Sequence, residues 1–251
     1  MTEGTFAHSL VIGASSGIGE ALARRLAAGG SRVALVARRE DELRRITEEI
    51  NKAAGEGRAI AVVHDVRAVD EVPELVQEIA RRLGGLDLAI FAAGSMPSVA
   101  PDEYDTAKDR EMIEVNLLGA VAWLNPVADR MARLGRGTIV GIGSVAGDRG
   151  RAPNPVYCTS KAGLHAYLEG LRNRLAKLGV TVVTIKPGFV DTAMTRGKEG
   201  LFWLISADRA AEIILEKAAR GAVTAYVPAR WRLLMTVVRS IPSFIFTRLG
   251  I

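Results

Sequence analysis

Short apolar runs alternate along the chain with longer segments in which apolar residues recur every three or four positions. The short runs predict buried β-strands and the longer segments predict amphipathic helices. The predicted strands lie at residues 9–12, 32–37, 59–63, 86–92, 138–142 and 180–185, and the predicted helices at 18–28, 40–54, 69–83, 105–134 and 156–178. We expect the long helix to bend at Pro126, because proline lacks the N–H that continues a helix.

Alternation of strands and helices throughout a chain is typical of a parallel sheet covered by helices on both faces. We therefore predict a Rossmann-type doubly wound α/β fold with a mostly parallel sheet of seven strands. Ligands of such folds bind at the carboxyl ends of the strands. A single domain over residues 1–251 is expected, with residues 192–206 as a substrate lid and residues 229–251 as an apolar, basic C-terminal tail.

The composition excludes several classes of protein. Hydrophobic residues make up 49% of the chain and charged residues 24%, a globular balance that excludes a disordered or fibrous protein. The one cysteine, Cys158, excludes a disulfide framework, and the three scattered histidines offer no ligand spacing for a metal. We therefore expect no metal site.

The chain is moderately basic. Its 33 lysines and arginines, of which 26 are arginine, outnumber 28 acidic residues and give a net charge of +5. This excess suits a nucleic acid, an anionic membrane surface or a phosphorylated small molecule. The cations are spread evenly without interleaved aromatic residues, which argues against nucleic acid. Glu3 stands where a signal peptide needs cations, and no apolar stretch reaches the ~18 residues of a spanning helix, so a cytoplasmic protein is expected.

A glycine-rich turn follows the first predicted strand and opens the first helix. A turn of this kind lets a pyrophosphate approach the backbone and the free N–H groups of the helix N-terminus. The candidate contacts to a dinucleotide are therefore Gly13, Ser15, Ser16, Gly17, Ile18 and Gly19.

The tip of the second strand indicates which dinucleotide this turn would hold. A site specific for NAD places a carboxylate there for the ribose 2′-hydroxyl. This chain has Ala37 followed by Arg38 and Arg39, whose guanidinium groups can pair with a 2′-phosphate, and Ser15 can add a hydroxyl. NADP is the expected cofactor in preference to NAD, unless both arginines merely face solvent.

Three residues in the second half of the chain have the spacing of an acid–base site. Tyr157 and Lys161 are four residues apart near the start of a predicted helix and so share one face. Ser144 stands at the end of the preceding strand. A phenol titrates near ~10, so its use at neutral pH needs ~4 kcal/mol, which an ammonium ~4 Å away supplies.

With these motifs the chain resembles the short-chain dehydrogenase/reductase family over nearly its whole length. The resemblance implies that Tyr157 protonates a carbonyl oxygen, that Lys161 lowers its pKa and holds the nicotinamide ribose, and that Ser144 hydrogen-bonds the developing oxyanion. Asn116 matches the family asparagine that anchors a water in the proton relay. The other matching positions, which the resemblance assigns to the cofactor, are Asp65, Val66, Ala92, Ala93, Gly94, Pro187, Gly188, Val190 and Thr192.

Two motifs depart from the family pattern. The usual Asn-Asn-Ala-Gly is replaced by a segment that begins with Phe91, and the threonine that usually precedes the first glycine is Ile12. Both motifs concern the scaffold and the packing of the cofactor, so the departures bear on cofactor affinity more than on chemistry.

The expected activity is NADP-dependent reduction of a carbonyl to an alcohol by hydride transfer at a Ser-Tyr-Lys-Asn site. The alternative is a non-catalytic sensor or scaffold that only binds the dinucleotide. Such proteins usually lose the tyrosine or the lysine, and this chain has both. Relatives are commonly dimers or tetramers, so a homodimer or homotetramer is expected.

Candidate substrate residues lie in a loop and in the lid. Arg149 and Arg151, in the loop before the tyrosine, can capture a substrate phosphate, or can pair with Asp148 or a neighbouring subunit. Phe202 and Trp203 belong to the apolar lid. The tail is too short and too interrupted by charges to span a bilayer. It could lie on an anionic membrane as two short amphipathic helices, or form a subunit interface or pocket wall.

The loop and the tail carry a narrower resemblance. Residues 148–151, 186–192 and 239–249 are similar to the reductases that partner the bacterial decaprenylphosphoryl-ribose 2′-epimerase. That family reduces a 2-keto sugar carried on a polyprenyl phosphate. The resemblance implies a keto sugar at Tyr157, a phosphate near Arg149 and Arg151, and a lipid chain along the lid and tail. A soluble apolar ketone or an acyl-thioester-linked ketone is the alternative substrate.

Overall fold

The larger sheet is parallel throughout. The computed structural model describes residues 6–100, 102–197 and 199–249. Its strands are β1 His8–Ile12, β2 Arg32–Ala37, β3 Ala59–Val63, β4 Leu88–Phe91, β5 Gly137–Ile142, β6 Val180–Pro187, β7 Val190–Asp191, β8 Ile205–Ser206 and β9 Thr224–Val227. Seven of them form one sheet in the order β3-β2-β1-β4-β5-β6-β9, and each neighbouring pair is parallel. The chain reverses its direction across the sheet between β1 and β4, the switch point at which such folds bind ligands.

Helices cover both faces of this sheet. They are α1 Gly17–Ala28, α2 Glu40–Ala54, α3 Val72–Leu83, α4 Thr106–Ile113, α5 Gly119–Leu134, α6 Pro155–Leu175, α7 Ala207–Ala219, α8 Trp231–Ser240 and α9 Ser243–Phe246. One core contains α3, α5 and α6, and the other contains α1, α2 and α7. In β1, Leu10 and Ile12 belong to the first core and Val11 to the second, because successive strand residues point to opposite faces. A sheet buried on both faces explains the continuous apolar runs.

The predicted doubly wound fold with seven strands is confirmed, and β2, α2 and β3 have the predicted bounds. The segment predicted as one helix over 69–83 instead begins with a short 3₁₀ turn at Val69–Glu71, and α3 starts at Val72. Pro73 lies in the first turn of α3, where its missing N–H costs nothing.

The long helical region after β4 is divided by a π-helical turn. After α4 ends at Ile113, Glu114–Leu118 forms this turn, and α5 continues from Gly119 through Pro126. The departure from α-helical hydrogen bonding therefore lies around Asn116 and not at Pro126, where the sequence predicts a bend. Turns of this type are rare and occur frequently at functional sites.

The last third of the chain completes the sheet and then returns to its carboxyl edge. The sequence pattern does not predict α7, which joins α1 and α2 on one face of the sheet, or β9, which is the last strand. The two-residue strands β7 and β8 pair at Val190 and Ile205, which brings the two ends of the predicted lid together. The tail forms two short helices, α8 and α9, as expected.

Candidate active site

The glycine-rich turn between β1 and α1 is closely packed. Gly13 has a φ of +90°, and a Cβ built on it would lie 2.4 Å from the nitrogen of Ala93. A Cβ on Gly19 would lie 2.1 Å from the carbonyl oxygen of Gly13. Ser16 is the N-cap of α1 but makes no capping bond with its side chain. The N–H groups of the first helical turn therefore remain available to a phosphate.

A cleft of about 410 Å³ lies at the carboxyl ends of the strands beside this turn. It brings together nearly all the residues predicted to bind a cofactor, with three of the four predicted catalytic residues: Gly13, Ser15, Ser16, Gly17, Ile18, Gly19, Arg38, Arg39, Val66, Ala92, Ala93, Gly94, Pro187, Gly188, Val190, Thr192, Ser144, Tyr157 and Lys161. Sequence reasoning missed other lining residues, which include His64, Val115, Ile142, Gly143, Ala193, Met194 and Thr195. Most of these directly adjoin a predicted residue, and that adjacency is the signal that could have found them.

Asp65 lies outside the lining of the cleft as far as the chain is described. Its carboxylate accepts hydrogen bonds from Arg67 at 2.6 and 3.0 Å, and Arg38 lies 3.7 Å away. Hydrogen bonding to Arg67 is the main cause that lowers the pKa of Asp65. The carboxylate is thus already held by an arginine, and the contact that the family resemblance implies between Asp65 and the cofactor stays a prediction.

The guanidinium of Arg39 lies on the glycine-rich turn. It donates to the hydroxyl of Ser15 at 2.9 and 3.2 Å, to the carbonyl oxygen of Ser15 at 3.1 Å and to the hydroxyl of Ser16 at 2.6 Å. Arg38 is exposed next to it. Ala37, the last residue of β2, precedes the two arginines and is buried. This corner of the cleft is therefore cationic, with hydroxyl groups beside the charge.

The first turn of α6 fixes the predicted acid–base pair. Asn154 caps this helix by accepting the N–H of Tyr157 at 3.0 Å, and Pro155 occupies the first helical position. Tyr157 and Lys161 follow on the same face, and both are buried. The ammonium of Lys161 donates to the carbonyl oxygen of Ile142 at 3.1 Å and lies 5.9 Å from the ring centroid of Tyr157.

Burial dominates the titration of both groups. It raises the pKa of Tyr157, while a hydrogen bond with the hydroxyl of Ser144 and the charge of Arg151 lower it. It also lowers the pKa of Lys161, to about 8. The protein alone therefore favours the neutral phenol, and Ser144 and Arg151 are the groups that oppose this effect.

From within the π turn, Asn116 joins the segment that follows β4 to α6. It is fully buried. Its side-chain oxygen accepts the N–H of Ser95 at 2.7 Å, and its side-chain nitrogen donates to the Ser95 carbonyl at 2.9 Å and to the Ser160 hydroxyl at 3.0 Å. A Cβ on Gly94 would lie 3.5 Å from the Asn116 oxygen and 3.6 Å from the Lys161 ammonium. Asn116 thus holds the floor of the cleft beside Lys161.

Both departures from the family pattern lie in the core. Ile12, at the end of β1, and Phe91, at the end of β4, are fully buried and belong to the same apolar cluster. Ala92 and Ala93 follow Phe91 and line the cleft. The apolar replacements therefore fill the scaffold beneath the glycine-rich turn.

Arg149 corrects one expectation about the substrate. Its guanidinium donates to the carbonyl oxygens of Val238 and Ile241, both at 2.6 Å, and lies 3.8 Å from the ring centroid of Phe246. Both bonds come from Nη1 and hold the end of α8 and the segment before α9, so this nitrogen is directed at the tail and not at a substrate phosphate. The predicted alternative, a pair between Arg149 and Asp148, is also absent, because the guanidinium of Arg149 is bound to the tail.

Four aromatic residues form a cluster between the lid and the tail: Phe189, Phe202, Trp203 and Trp231, with ring centroids 5.1–5.6 Å apart. We had singled out Phe202 and Trp203, whose exposed fractions are 49% and 37%. Trp231 begins α8 and is buried against Gly188, where a Cβ would lie 1.9 Å from the indole nitrogen. The cluster therefore connects the tail to the Pro187–Gly188 wall of the cleft.

Comparisons with known sequences identify the class that this fold and site define. The profile of the family described as short chain dehydrogenase matches residues 7–200. An uncharacterised oxidoreductase of Staphylococcus epidermidis is 33% identical over 191 residues, 76% of this chain and 81% of that protein. Another, of Staphylococcus saprophyticus, is 37% identical over 189 residues, 74% of this chain and 80% of that protein.

Solved structures have the same architecture. A variant of the actinorhodin polyketide ketoreductase with NADPH is 30% identical, with a TM-score of 0.79 over 88% of this chain and 94% of that one. ElxO with NADP bound is 21% identical, with a TM-score of 0.79 over 88% and 95%, and supports the fold. The chain belongs to the short-chain dehydrogenase/reductase family. The predicted family and its class of activity, an oxidoreductase, are therefore confirmed.

Helices α8 and α9 lie beyond the segment that the family profile matches. Among the described residues, none of the helices is both long enough and apolar enough to cross a membrane. The residues that the structure describes also contain no group of three or more His, Cys, Asp or Glu side chains placed to hold a metal ion.

Proposed function

We propose that this protein is an NADPH-dependent carbonyl reductase. The observation that carries the proposal is one cleft lined by the glycine-rich turn and Arg39 together with Ser144, Tyr157 and Lys161. A non-catalytic sensor or scaffold would need the first of these features but not a buried tyrosine and lysine on one helical face. Burying a lysine is costly, and the lowered pKa of Lys161 reflects that cost.

The cationic corner fits the 2′-phosphate of NADP. Arg39 already contacts two hydroxyl-bearing residues there, Ser15 and Ser16, and Arg38 is exposed beside them. Ala37 offers no carboxylate to a 2′-hydroxyl, as a site specific for NAD would. The actinorhodin ketoreductase, at 30% identity, contains NADPH. When bound, the reduced nicotinamide supplies a hydride.

The side chains of this protein supply the rest of the reaction. Ser144 and Tyr157 donate hydrogen bonds to the carbonyl oxygen, and the Tyr157 O–H gives that oxygen its proton as negative charge develops on it. Lys161 places a positive charge behind the phenol and would hold the nicotinamide ribose. Asn116 fixes the backbone beside Lys161 and anchors the water through which the proton is replaced.

Turnover against a panel of carbonyl compounds tests this proposal. We expect the purified protein to oxidise NADPH in the presence of at least one of α-diketones, cyclic ketones, keto sugars and β-keto thioesters. Binding of NADPH without oxidation across the whole panel would instead support a sensor or scaffold. The same assay with NADH reports the cofactor preference.

For the substrate, we propose a 2-keto sugar carried on a polyprenyl phosphate. Three features support it: a cation close enough to Tyr157 to lower its pKa, half-exposed aromatic rings at the lid, and exposed apolar side chains on the tail. The first is Arg151, the second are Phe202 and Trp203, and the third include Leu233 and Val237. Since Arg149 is held by the tail, Arg151 is the arginine proposed to meet the phosphate.

An apolar or thioester-linked ketone is the second candidate substrate. It is favoured by the 30% identity to a polyketide ketoreductase. The lipid-linked sugar and a neutral apolar ketone differ in their need for Arg151. With a polyprenyl-phosphate keto sugar, Arg151→Met should raise KM at least ~tenfold through loss of a charge-assisted phosphate contact. With a neutral ketone it should leave KM unchanged. No turnover of the lipid-linked sugar, alongside rapid reduction of neutral ketones, would contradict the first candidate.

We further propose that the tail contacts an anionic membrane surface. On α8, Leu233 is 75% exposed and Val237, one turn later, is 57% exposed; Phe244 of α9 is 67% exposed. Arg232 and Arg248 are exposed beside this apolar strip. Apolar side chains next to arginines are the composition of a helix that lies in the interface of an anionic bilayer. A subunit interface on the same strip is the alternative.

Vesicle sedimentation distinguishes these two. The parent protein should sediment with phosphatidylglycerol-containing vesicles and much less with phosphatidylcholine alone. Leu233→Ser with Val237→Ser should weaken this binding at least ~tenfold, because each side chain loses about 1.5 kcal/mol or more of apolar burial. Val223→Ser is the matched control. Val223 is 59% exposed just before the amino end of β9, whereas α8 follows the carboxyl end of that strand. Unchanged sedimentation of the double variant, with a smaller particle size in solution, would indicate a subunit interface instead.

A further inference from the structure

His165 lies one turn after Lys161 on α6, so Tyr157, Lys161 and His165 share a face of the helix. The ring of His165 occupies the space between Gly143 and Gly147, the two glycines that flank the Ser144 turn. A Cβ on Gly143 would lie 2.2 Å from Nε2 of His165, and a Cβ on Gly147 would lie 2.6 Å from its Cε1. The imidazole therefore contacts the backbone on both sides of Ser144, and a side chain at either glycine would displace it.

The two ring nitrogens of His165 face different partners. The N–H of Ser144 donates to Nε2 at 3.4 Å, and Nδ1 lies 3.8 Å from the carboxylate of Asp148. This arrangement requires the neutral ring with its proton on Nδ1. Burial, aided by the charges of Lys186 and Lys161 and opposed by that of Asp148, lowers the pKa of His165 to about 3. The ring accordingly stays an acceptor for Ser144 at neutral pH.

Asp148 gives this ring a fixed support. Its side chain is 2% exposed. Lys186 donates to one carboxylate oxygen at 2.5 Å, and the hydroxyl of Tyr226 donates to the other at 2.7 Å. Lys186 is in β6 and immediately precedes Pro187 and Gly188, and Tyr226 is in β9. A buried carboxylate with two such partners is held in one geometry, because losing either would leave one of its oxygens without a hydrogen-bond donor.

We infer that His165 is a positioning residue, which holds the Ser144 turn so that the Ser144 hydroxyl meets both Tyr157 and the substrate carbonyl. The inference rests on the proposed function, because the position of that hydroxyl matters to turnover only if Ser144 acts on the carbonyl. A donor in such a site must be held within about 0.5 Å of its productive place. The imidazole of His165, packed between Gly143 and Gly147, supplies that restraint, and it belongs to the same helix as Tyr157.

A pair of amide variants separates positioning from mere space filling. In His165→Gln the side-chain oxygen can reach the place of Nε2 and accept the Ser144 N–H, whereas in His165→Asn it ends near the place of Nδ1. We expect the Asn variant to lose ~10–100-fold in kcat with KM for NADPH within about twofold of the parent. The Gln variant should stay within about threefold of the parent in both constants.

The pH profile provides a readout that a purely structural role would not move. The hydroxyl of Ser144 lowers the pKa of Tyr157. If the Asn variant misplaces that hydroxyl, the alkaline midpoint of carbonyl reduction should move upward by ~0.5–1 pH unit. The Gln variant should keep the parent midpoint. A fall in thermal stability shared by both variants, with unchanged midpoints, would overturn the inference.

Ser144→Ala supplies the coupling test. If His165 acts through Ser144, His165→Asn should cost no further activity in the Ser144→Ala background. Fully additive losses would overturn the inference. Full turnover by Ser144→Ala alone would show that Ser144 does not act on the carbonyl and would overturn the inference, whereas the proposed function fails only if the parent protein reduces no carbonyl. If Ser144→Ala loses turnover and His165→Asn does not, only the role of His165 fails.

Tyr226→Phe replaces the Asn variant if that protein does not fold. It removes the O–H that Asp148 accepts without altering the ring of His165. We expect a fall of ~2–5-fold in kcat that disappears in the Ser144→Ala background. An unchanged kcat would count against the inference.

Discussion

Replacing Tyr157 with phenylalanine is expected to lower kcat for carbonyl reduction at least ~10³-fold while the Kd for NADPH changes less than about threefold. The ring stays in its buried place, so the cleft keeps its shape, but the carbonyl oxygen loses both a hydrogen bond and its proton donor. Single-turnover absorbance gives the hydride-transfer rate, and fluorescence titration gives the Kd.

Tyr167→Phe is the matched control for that experiment. Tyr167 is on the same helix, but its hydroxyl donates to Asn125 at 2.9 Å, far along α6 from the cleft. We expect this variant to retain the parent rate. Turnover by Tyr157→Phe at a rate close to that of the control would contradict the assignment of Tyr157 as the acid.

Replacing Arg38 with aspartate and Arg39 with alanine should shift the cofactor preference from NADPH toward NADH. Loss of charge-assisted bonds to the 2′-phosphate should raise the Kd for NADPH by one to two decades, about 1.5–3 kcal/mol. The new carboxylate at position 38 can accept the 2′-hydroxyl of NADH. Fluorescence titration with both dinucleotides measures the shift.

Arg44→Ala controls for the change in charge near the cleft. Arg44 is exposed on α2 and pairs with Glu40 at 2.8 Å, so its loss should alter the binding of neither dinucleotide by more than about twofold. Equal affinity of the parent protein for NADPH and NADH would contradict the premise of both experiments.

The central parts of the fold follow from local patterns. In β2, α2 and β3 the apolar positions change from a continuous run to helical spacing and back, and the predicted bounds match the structure. The cofactor cleft was predictable for a related reason: parallel strands place their carboxyl ends at one edge, so residues far apart in sequence meet there.

The parts that were missed depend on contacts that no local pattern encodes. The π turn around Asn116 lies between two helical segments with no interruption, so periodicity alone predicts one continuous helix. The partners of Arg149 lie 89 and 92 residues further along the chain. The place of His165 depends on two glycines whose small size gives no sign of which ring will fill the space.

The contacts of Arg149 with α8 and α9 couple the local unfolding of the tail to that of the loop after β5. The loop that carries Arg149 connects Ser144 to Tyr157, so opening of the tail and loosening of this loop break the same bonds. Segments that share such bonds open as one cooperative unit with one free energy. We therefore expect the C-terminal residues to help order the loop between Ser144 and Tyr157, although they lie outside the segment that the family profile matches.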